Sequence, residues 1–246
     1  MDRLTTLLRL SLPYISEDPA NAAGFLVLDH ETRSVRWRLR AQPSLPMLAI
    51  SFRQRHAPLA YALHDNLVMS WAENPELSAL VSLLSAELAS SRCGGGMMRQ
   101  HLAEVILIQL LRTVLEQQQA PAGLLAGLAH PQIARALVAL HDHPEQGWTV
   151  ERLAEHAAMS RSAFIEHFRR ITGEPPGSYI ARWKLLTAQR HLVQGNTVAQ
   201  AARQAGYSGP TALTRAYRHH FGCSPKHHKT ILGDAGMPVP PPEAVA

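Results

Sequence analysis

Residues 149–160, TVERLAEHAAMS, return at 197–208 as TVAQAARQAGYS, an offset of 48. Beyond the turn the offset is 49, so that Phe164, Phe168, Arg169, Gly173 and Pro176 fall on Leu213, Tyr217, Arg218, Gly222 and Pro225. One residue inserted in the second turn accounts for the change. Such self-similarity marks one supersecondary unit used twice, which commits residues 130–230 to two similar halves.

Each half meets the physical requirements of a helix-turn-helix. A small residue, Ala154 or Ala202, lets the second helix cross the first closely. The turn favours a residue that tolerates positive φ; Gly206 does so at no steric cost, whereas Ala158 is less comfortable there. Ser160 and Ser208 stand where the second helix is expected to begin, suited to accept from its unpaired N–H groups. Phe164 and Phe168, like Leu213 and Tyr217, are four residues apart, so each pair faces a core and leaves the opposite helix face outward. Between the halves, Tyr179, Trp183, Leu185, Leu186, Ala188 and Leu192 are spaced as in a well-buried helix over 177–193. At 1.5 Å per residue that strut is about 25 Å long, enough to set two reading helices about one DNA turn apart. Residues 131–143 supply a preceding helix, and Trp148 is expected to close the core ahead of a cap at Thr149.

Charge points to the same region. Residues 1–129 balance 11 Lys+Arg against 11 Asp+Glu, while 130–230 hold 13 against 6 and also carry ten of the 14 histidines. A basic excess confined to one segment suits a polyphosphate partner. The 246 residues allow one or two domains, and 46% hydrophobic with 17% charged residues is ordinary for a globular chain. Two cysteines, Cys93 and Cys223, make no disulfide framework and suit a reducing, cytoplasmic compartment. No apolar run approaches the roughly 20 residues that span a bilayer, so no membrane partner is expected. The opening MDRLTTLLRLS reads as an amphipathic helix and not a signal peptide.

The stretch GYSGPTALTRAYRHHFGCSPKHHK (206–229) resembles the C-terminal signature of the AraC/XylS family of bacterial transcription regulators. Gly206, Tyr207, Arg215, Tyr217, Phe221, Gly222, Ser224 and Pro225 fall on its motif positions. MSRSAFIEHFRRITGEPPGSYIARWK (159–184) is similar to that family's first helix-turn-helix and connecting helix. Leu213 departs from the pattern where an aromatic is commoner, and His228-Lys229 where Tyr-Arg is usual. The resemblance implies a non-enzymatic regulator without a cofactor, partnered by double-stranded DNA and RNA polymerase. It also implies a cupin-like sensor for a small-molecule effector, followed by two helices that form a homodimer.

The fold class expected is mainly α. A C-terminal tandem helix-turn-helix domain of about seven helices joins a small N-terminal α+β domain resembling a reduced cupin-like sensor with two dimerisation-type helices. Within 1–73, a β-rich divergent sensor region too short for a complete barrel, GFLVLDHETRSVRWRLR reads as two strands around a turn at 29–32, and LPMLAISF as a third. A helical pair follows over 74–118: one helix opens with Pro75 and stops near Cys93 and the glycines, and the other covers about 97–118. The apolar surface of the second wraps too far round for one neighbour, which means deep burial or a dimer seam. Residues 119–129 read as a linker, 130–230 as the double helix-turn-helix and 231–246 as a disordered tail.

On the first reading helix the groove-facing positions are Arg161, Ser162, Ala163, Glu166 and Arg170; Ser162 and Glu166 take base-contacting positions through the resemblance, and Glu166 could accept from a cytosine N4. On the second, Pro210, Thr211, Thr214 and Arg215 point outward, Arg215 suiting guanine or phosphate. Arg169, Arg218, Lys226 and Lys229 are phosphate candidates, with solvated surface charge as the plain alternative. The histidines flanking Cys223 do not converge as zinc ligands would, and no metal is expected. Trp37 between Arg36 and Arg38 could hold an acidic effector, although an alternating edge strand explains it as well. Two rivals remain: a basic helical module that docks a protein, and a DNA-repair adaptor with no catalysis of its own, since neither cysteine has the surroundings of a methylated-DNA repair nucleophile.

Overall fold

The computed structural model describes residues 2–42, 44–52, 58–65, 67–90, 92–117 and 120–227. The chain divides into two compact units, Met1–Ala134 and Arg135–Ala246. Lys229 and the segment expected as a tail, 231–246, lie outside the described residues.

The first unit opens with helix α1 (Thr5–Ser11) and strand β1 (Pro13–Ile15), then β2 (Gly24–Asp29), β3 (Ser34–Arg38) and β4 (Met47–Phe52). Helix α2 (Pro58–Ala62) and strand β5 (Leu67–Ser70) precede the long helices α3 (Pro75–Ala89) and α4 (Gly95–Glu116) and the short α5 (Leu124–Ala129). The strands form one antiparallel sheet in the order β1-β4-β2-β3-β5, open at both ends among the described residues. Every residue of β2 is buried, which explains its unbroken GFLVL run. The β2–β3 turn is built on Asp29, whose Oδ1 accepts from the N–H of Thr32 at 3.0 Å and of Glu31 at 3.1 Å. The bonds from Thr32, more than the nearby Arg36 guanidinium, hold its carboxyl below the usual range.

Two readings need correction here, and a third is decided for burial. Strand β3 is interior and Trp37 is fully buried, its ring lying where a Cβ on Gly24 would be at 2.3 Å; Arg36 pairs with Asp29 at 3.0 Å. Trp37 thus serves the core and presents no surface to an effector. The stretch read as a linker contains α5, with Leu125 and Leu128 fully buried, because these two of its three leucines reach the core despite the Pro and Gly before them. The wide apolar face of α4 is largely satisfied within the unit: Leu102, Ile106, Leu110, Leu111 and Val114 are buried, while Met97, Met98 and Val105 are exposed.

The second unit takes most of α6 (Pro131–Asp142), then a 3-10 turn (Pro144–Gln146), α7 (Val150–His156), α8 (Arg161–Thr172), α9 (Pro176–Val193), α10 (Val198–Gln204) and α11 (Pro210–Phe221). Helical residues reappear at 225–227, where the described chain ends. The first half buries Phe164 against Phe168 and Phe168 against Tyr179, and His141 lies with its Nε2 2.8 Å from the Tyr179 hydroxyl and its ring stacked 3.8 Å from that of Trp183. The second half packs Leu185, Ala188 and Leu192 of α9 against Ala201, Ala202, Ala205, Leu213 and Tyr217.

Candidate nucleic-acid interface

The two outward helices are positioned by their turns. Thr149 caps α7 by accepting from the Arg152 N–H, and the Trp148 indole N–H donates to the His143 carbonyl at 2.7 Å, closing the core as expected. The first turn then forces Ala158 to φ +53°, a left-handed conformation that an alanine adopts at a cost; its counterpart Gly206 takes φ +70°. Gly206 also has no room for a side chain, since a Cβ there would stand 2.6 Å from the Pro144 carbonyl oxygen. Glycine is thus required at the point where the second turn rests on the loop that opens the first half.

The helix starts differ. Ser160 caps α8, its Oγ accepting from the Ala163 N–H at 3.4 Å. Ser208 does not cap α11: the inserted residue moves the cap to Gly209, and Pro210 in the first turn brings no N–H to satisfy. Both helices end alike, with Gly173 and Gly222 in the left-handed region and their N–H groups donating to the carbonyls of Arg169 and Arg218.

With Phe164 and Phe168 buried, α8 turns Arg161, Ser162, Glu166, Arg169 and Arg170 to solvent around a shallow depression. Ala163 is only half-exposed and stays out of that depression, whereas Ile165, not singled out from the sequence, lines it. The Arg161 Nε donates to Glu151 Oε1 at 2.6 Å. A main-chain N–H in the first turn of α7, then the Arg161 and Thr149 side chains, hold the Glu151 carboxyl below its ordinary value. That partner was missed because it lies ten residues back, outside any local spacing. Leu213 and Tyr217, fully buried, turn Pro210, Thr211, Thr214, Arg215 and Arg218 toward a second depression, with Thr214 half-exposed and the rest exposed. Lys226 is exposed beyond the end of α11. Tyr207, half-buried and with its hydroxyl pushed up to about 12 by burial, lies under Lys184, whose Nζ is 5.9 Å from the ring centre. Among the described residues, no group of His, Cys, Asp and Glu is arranged to hold a metal ion, and no helix is long and apolar enough to cross a membrane.

Residues 153–230 match the family model described as a helix-turn-helix domain, and residues 19–116 match that described as a cupin. An AraC-like protein of Streptomyces lividans is 36% identical over 163 residues, 64% of this chain and 54% of that protein. The chain is thus similar to AraC-type transcription regulators, with a helix-turn-helix region and a cupin region. Another relative, the HTH-type transcriptional regulator AlkR of Acinetobacter baylyi, is 37% identical over 130 residues, 52% of this chain and 42% of its own. The chain spans about half the length of these AraC-type relatives. Among solved structures, the DNA-binding domain of AdpA in complex with a target DNA is similar at 32% identity, covering 39% of this chain and 88% of that one, with a TM-score of 0.38. The cupin match takes in β2 to β5 and the helices α3 and α4.

Proposed function

We propose that this AraC-type chain binds double-stranded DNA sequence-specifically and regulates transcription, with α8 and α11 entering successive major grooves on one side of the duplex. The observation that carries this reading is the paired outer faces: two helices at equivalent places in a duplicated unit, each anchored by a buried pair and each presenting arginines and small polar residues outward. Arg169, Arg218 and Lys226 contribute phosphate contacts, and Lys229 is proposed for the same role from sequence alone. Ser162, Glu166, Thr211 and Arg215 face base edges. The named relatives are themselves transcription regulators, which supports the assignment.

The cupin region acts in this reading as the sensor of a small-molecule effector. The helical pair 74–118 provides a homodimer contact through the exposed Met97, Met98 and Val105, and RNA polymerase is the downstream partner. The test is operator selection from random duplexes followed by salt titration of the wild-type chain and Arg215→Ala. A phosphate contact predicts weaker binding and a salt slope reduced by about one unit; a guanine contact predicts relaxed preference at one position. A chain with no sequence preference at physiological salt is not such a regulator.

A further inference from the structure

The two edges of the sheet are treated differently by α4. At β1, Gln100 stands in for a missing strand: its Oε1 accepts from the Ile15 N–H at 2.8 Å and its Nε2 donates to the Pro13 carbonyl at 3.1 Å. Further along α4, Gln109, Thr113 and Gln117 recur every fourth residue on one face and come opposite β5, the other end of the sheet. There the helix packs beside the strand and leaves a cavity of about 480 Å³, lined by residues 68–70, Asn74, Gln109, Thr113 and Gln117.

The register shows what β5 presents to this cavity. The Trp71 N–H donates to the Arg33 carbonyl at 2.9 Å, and Val35 faces Met69 and Trp37 faces Leu67 in the same ladder. In an antiparallel pair, hydrogen-bonded and non-bonded positions alternate. Residues 67, 69 and 71 therefore direct their main-chain groups to β3, and the N–H and C=O of Val68 and Ser70 point to the free edge. Unpaired strand-edge groups are strong donors and acceptors that a fold normally covers, as Gln100 does at β1. Across the cavity stand two side-chain amides, each able to donate and accept, and the Thr113 hydroxyl, which donates to the Gln109 carbonyl at 3.0 Å and is left to accept. None of the lining residues is ionisable, and Val68 and Met69 add apolar surface. The volume falls in the range of small-molecule sites, roughly 300–1,000 Å³.

We infer that the cleft between the free edge of β5 and the Gln109–Thr113–Gln117 face of α4 binds a small uncharged molecule bearing amide-type donors and acceptors. Charged ligands are disfavoured because nothing in the lining would compensate a charge removed from water. The ligand would bridge strand to helix and touch Asn74, whose Oδ1 caps α3 by accepting from the Leu77 N–H at 2.9 Å, so its arrival reaches both long helices.

The experiment is saturation-transfer NMR on the full chain without DNA, using uracil and nicotinamide as neutral probes and nicotinate as the charged counterpart of the second. Saturable binding of at least one neutral probe is expected, with nicotinate at least tenfold weaker than nicotinamide. Gln109→Leu and Thr113→Val, each checked for an unchanged thermal midpoint, should weaken the neutral probe at least tenfold; Thr113→Val preserves volume and decides the matter if Gln109→Leu fails to fold. Absence of binding by both neutral probes, equal binding by the variants, or equal binding of nicotinate would overturn the proposal. Because no DNA is present, such a failure leaves the DNA-binding reading standing.

Discussion

Gly206→Ala is expected to loosen the second helix-turn-helix, and Ala158→Gly at the equivalent place in the first should do the reverse. At φ +70° an alanine carries the left-handed penalty of roughly 1–2 kcal/mol, partly offset by roughly 0.4–1 kcal/mol of entropy removed from the unfolded chain. The new Cβ would also stand 2.6 Å from the Pro144 carbonyl oxygen and 3.2 Å from the Gly147 nitrogen. These are backbone atoms, so the turn or the loop beneath it must move, and overpacking of this kind costs about 1–3 kcal/mol. The net loss is then about 1–5 kcal/mol, equivalent to local opening at least about fivefold more frequent. Ala158→Gly relieves the same left-handed penalty at φ +53° and gives back the entropy, for a net gain of up to about 1 kcal/mol. Hydrogen exchange on the full chain reads each half separately: α10 and α11 should exchange faster in the first variant, and α7 and α8 more slowly in the second. Exchange within twofold of wild type for Gly206→Ala, or faster exchange for Ala158→Gly, would refute the account of the turns.

Two more outcomes follow from the same unit. Burial, with Arg182 nearby, pushes the His141 imidazole down to about 3, against an ordinary value near 6.5. Between those values the unfolded chain binds the extra proton, so this group's contribution is complete above about pH 6.5 and is lost as pH falls toward 3, amounting to about 2 kcal/mol by pH 5. Urea unfolding followed through tryptophan fluorescence at pH 7 and 5 should show that loss in the wild type and not in His141→Gln; an equal loss in both would exclude His141 as the source. Ser160→Ala should cost about 1 kcal/mol as a lost helix cap, while Ser208→Ala, one residue outside its cap, should cost almost nothing. Equal denaturation shifts for the two serines would contradict the displaced cap.

The sequence disclosed most where one element's pattern sufficed. The stripe of Phe164 and Phe168, the buried run of 177–193 and the β2–β3 turn at Asp29 each declare themselves within a dozen residues, and the helices and strands lie where those patterns put them. It disclosed least where the decisive partner is distant. Strand β1 is three residues long and exists through β4 on one side and Gln100, 85 residues away, on the other. Strand β5 has four residues and one pairing, too short a stretch for alternation to register. α5 was hidden by the Pro and Gly before it, although its Leu125 and Leu128 are core residues. On α8 the outward arginines were legible from periodicity, but the engagement of Arg161 with Glu151 was not, because it depends on how α7 crosses α8.

The duplication also says where the two halves have parted. At the offset of 49, the inner positions keep their character: Phe164 with Leu213, Phe168 with Tyr217 and Gly173 with Gly222 all remain core or cap residues. So does the pair Arg169 and Arg218, as expected of a sequence-independent phosphate contact. The outer positions differ. Arg161 corresponds to Pro210, Ile165 to Thr214, and Glu166 to Arg215, a reversal of charge at the position best placed for a base edge. A carboxylate accepts from cytosine or is left unpaired among phosphates, whereas a guanidinium donates to guanine, so the same base cannot satisfy both. The inner face keeps its core character while the outer faces differ, and on the proposed reading the two helices read unlike half-sites. An operator selected in vitro should contain two different half-sites about one helical turn apart; recovery of a direct repeat of one sequence would mean that Glu166 and Arg215 do not face the bases.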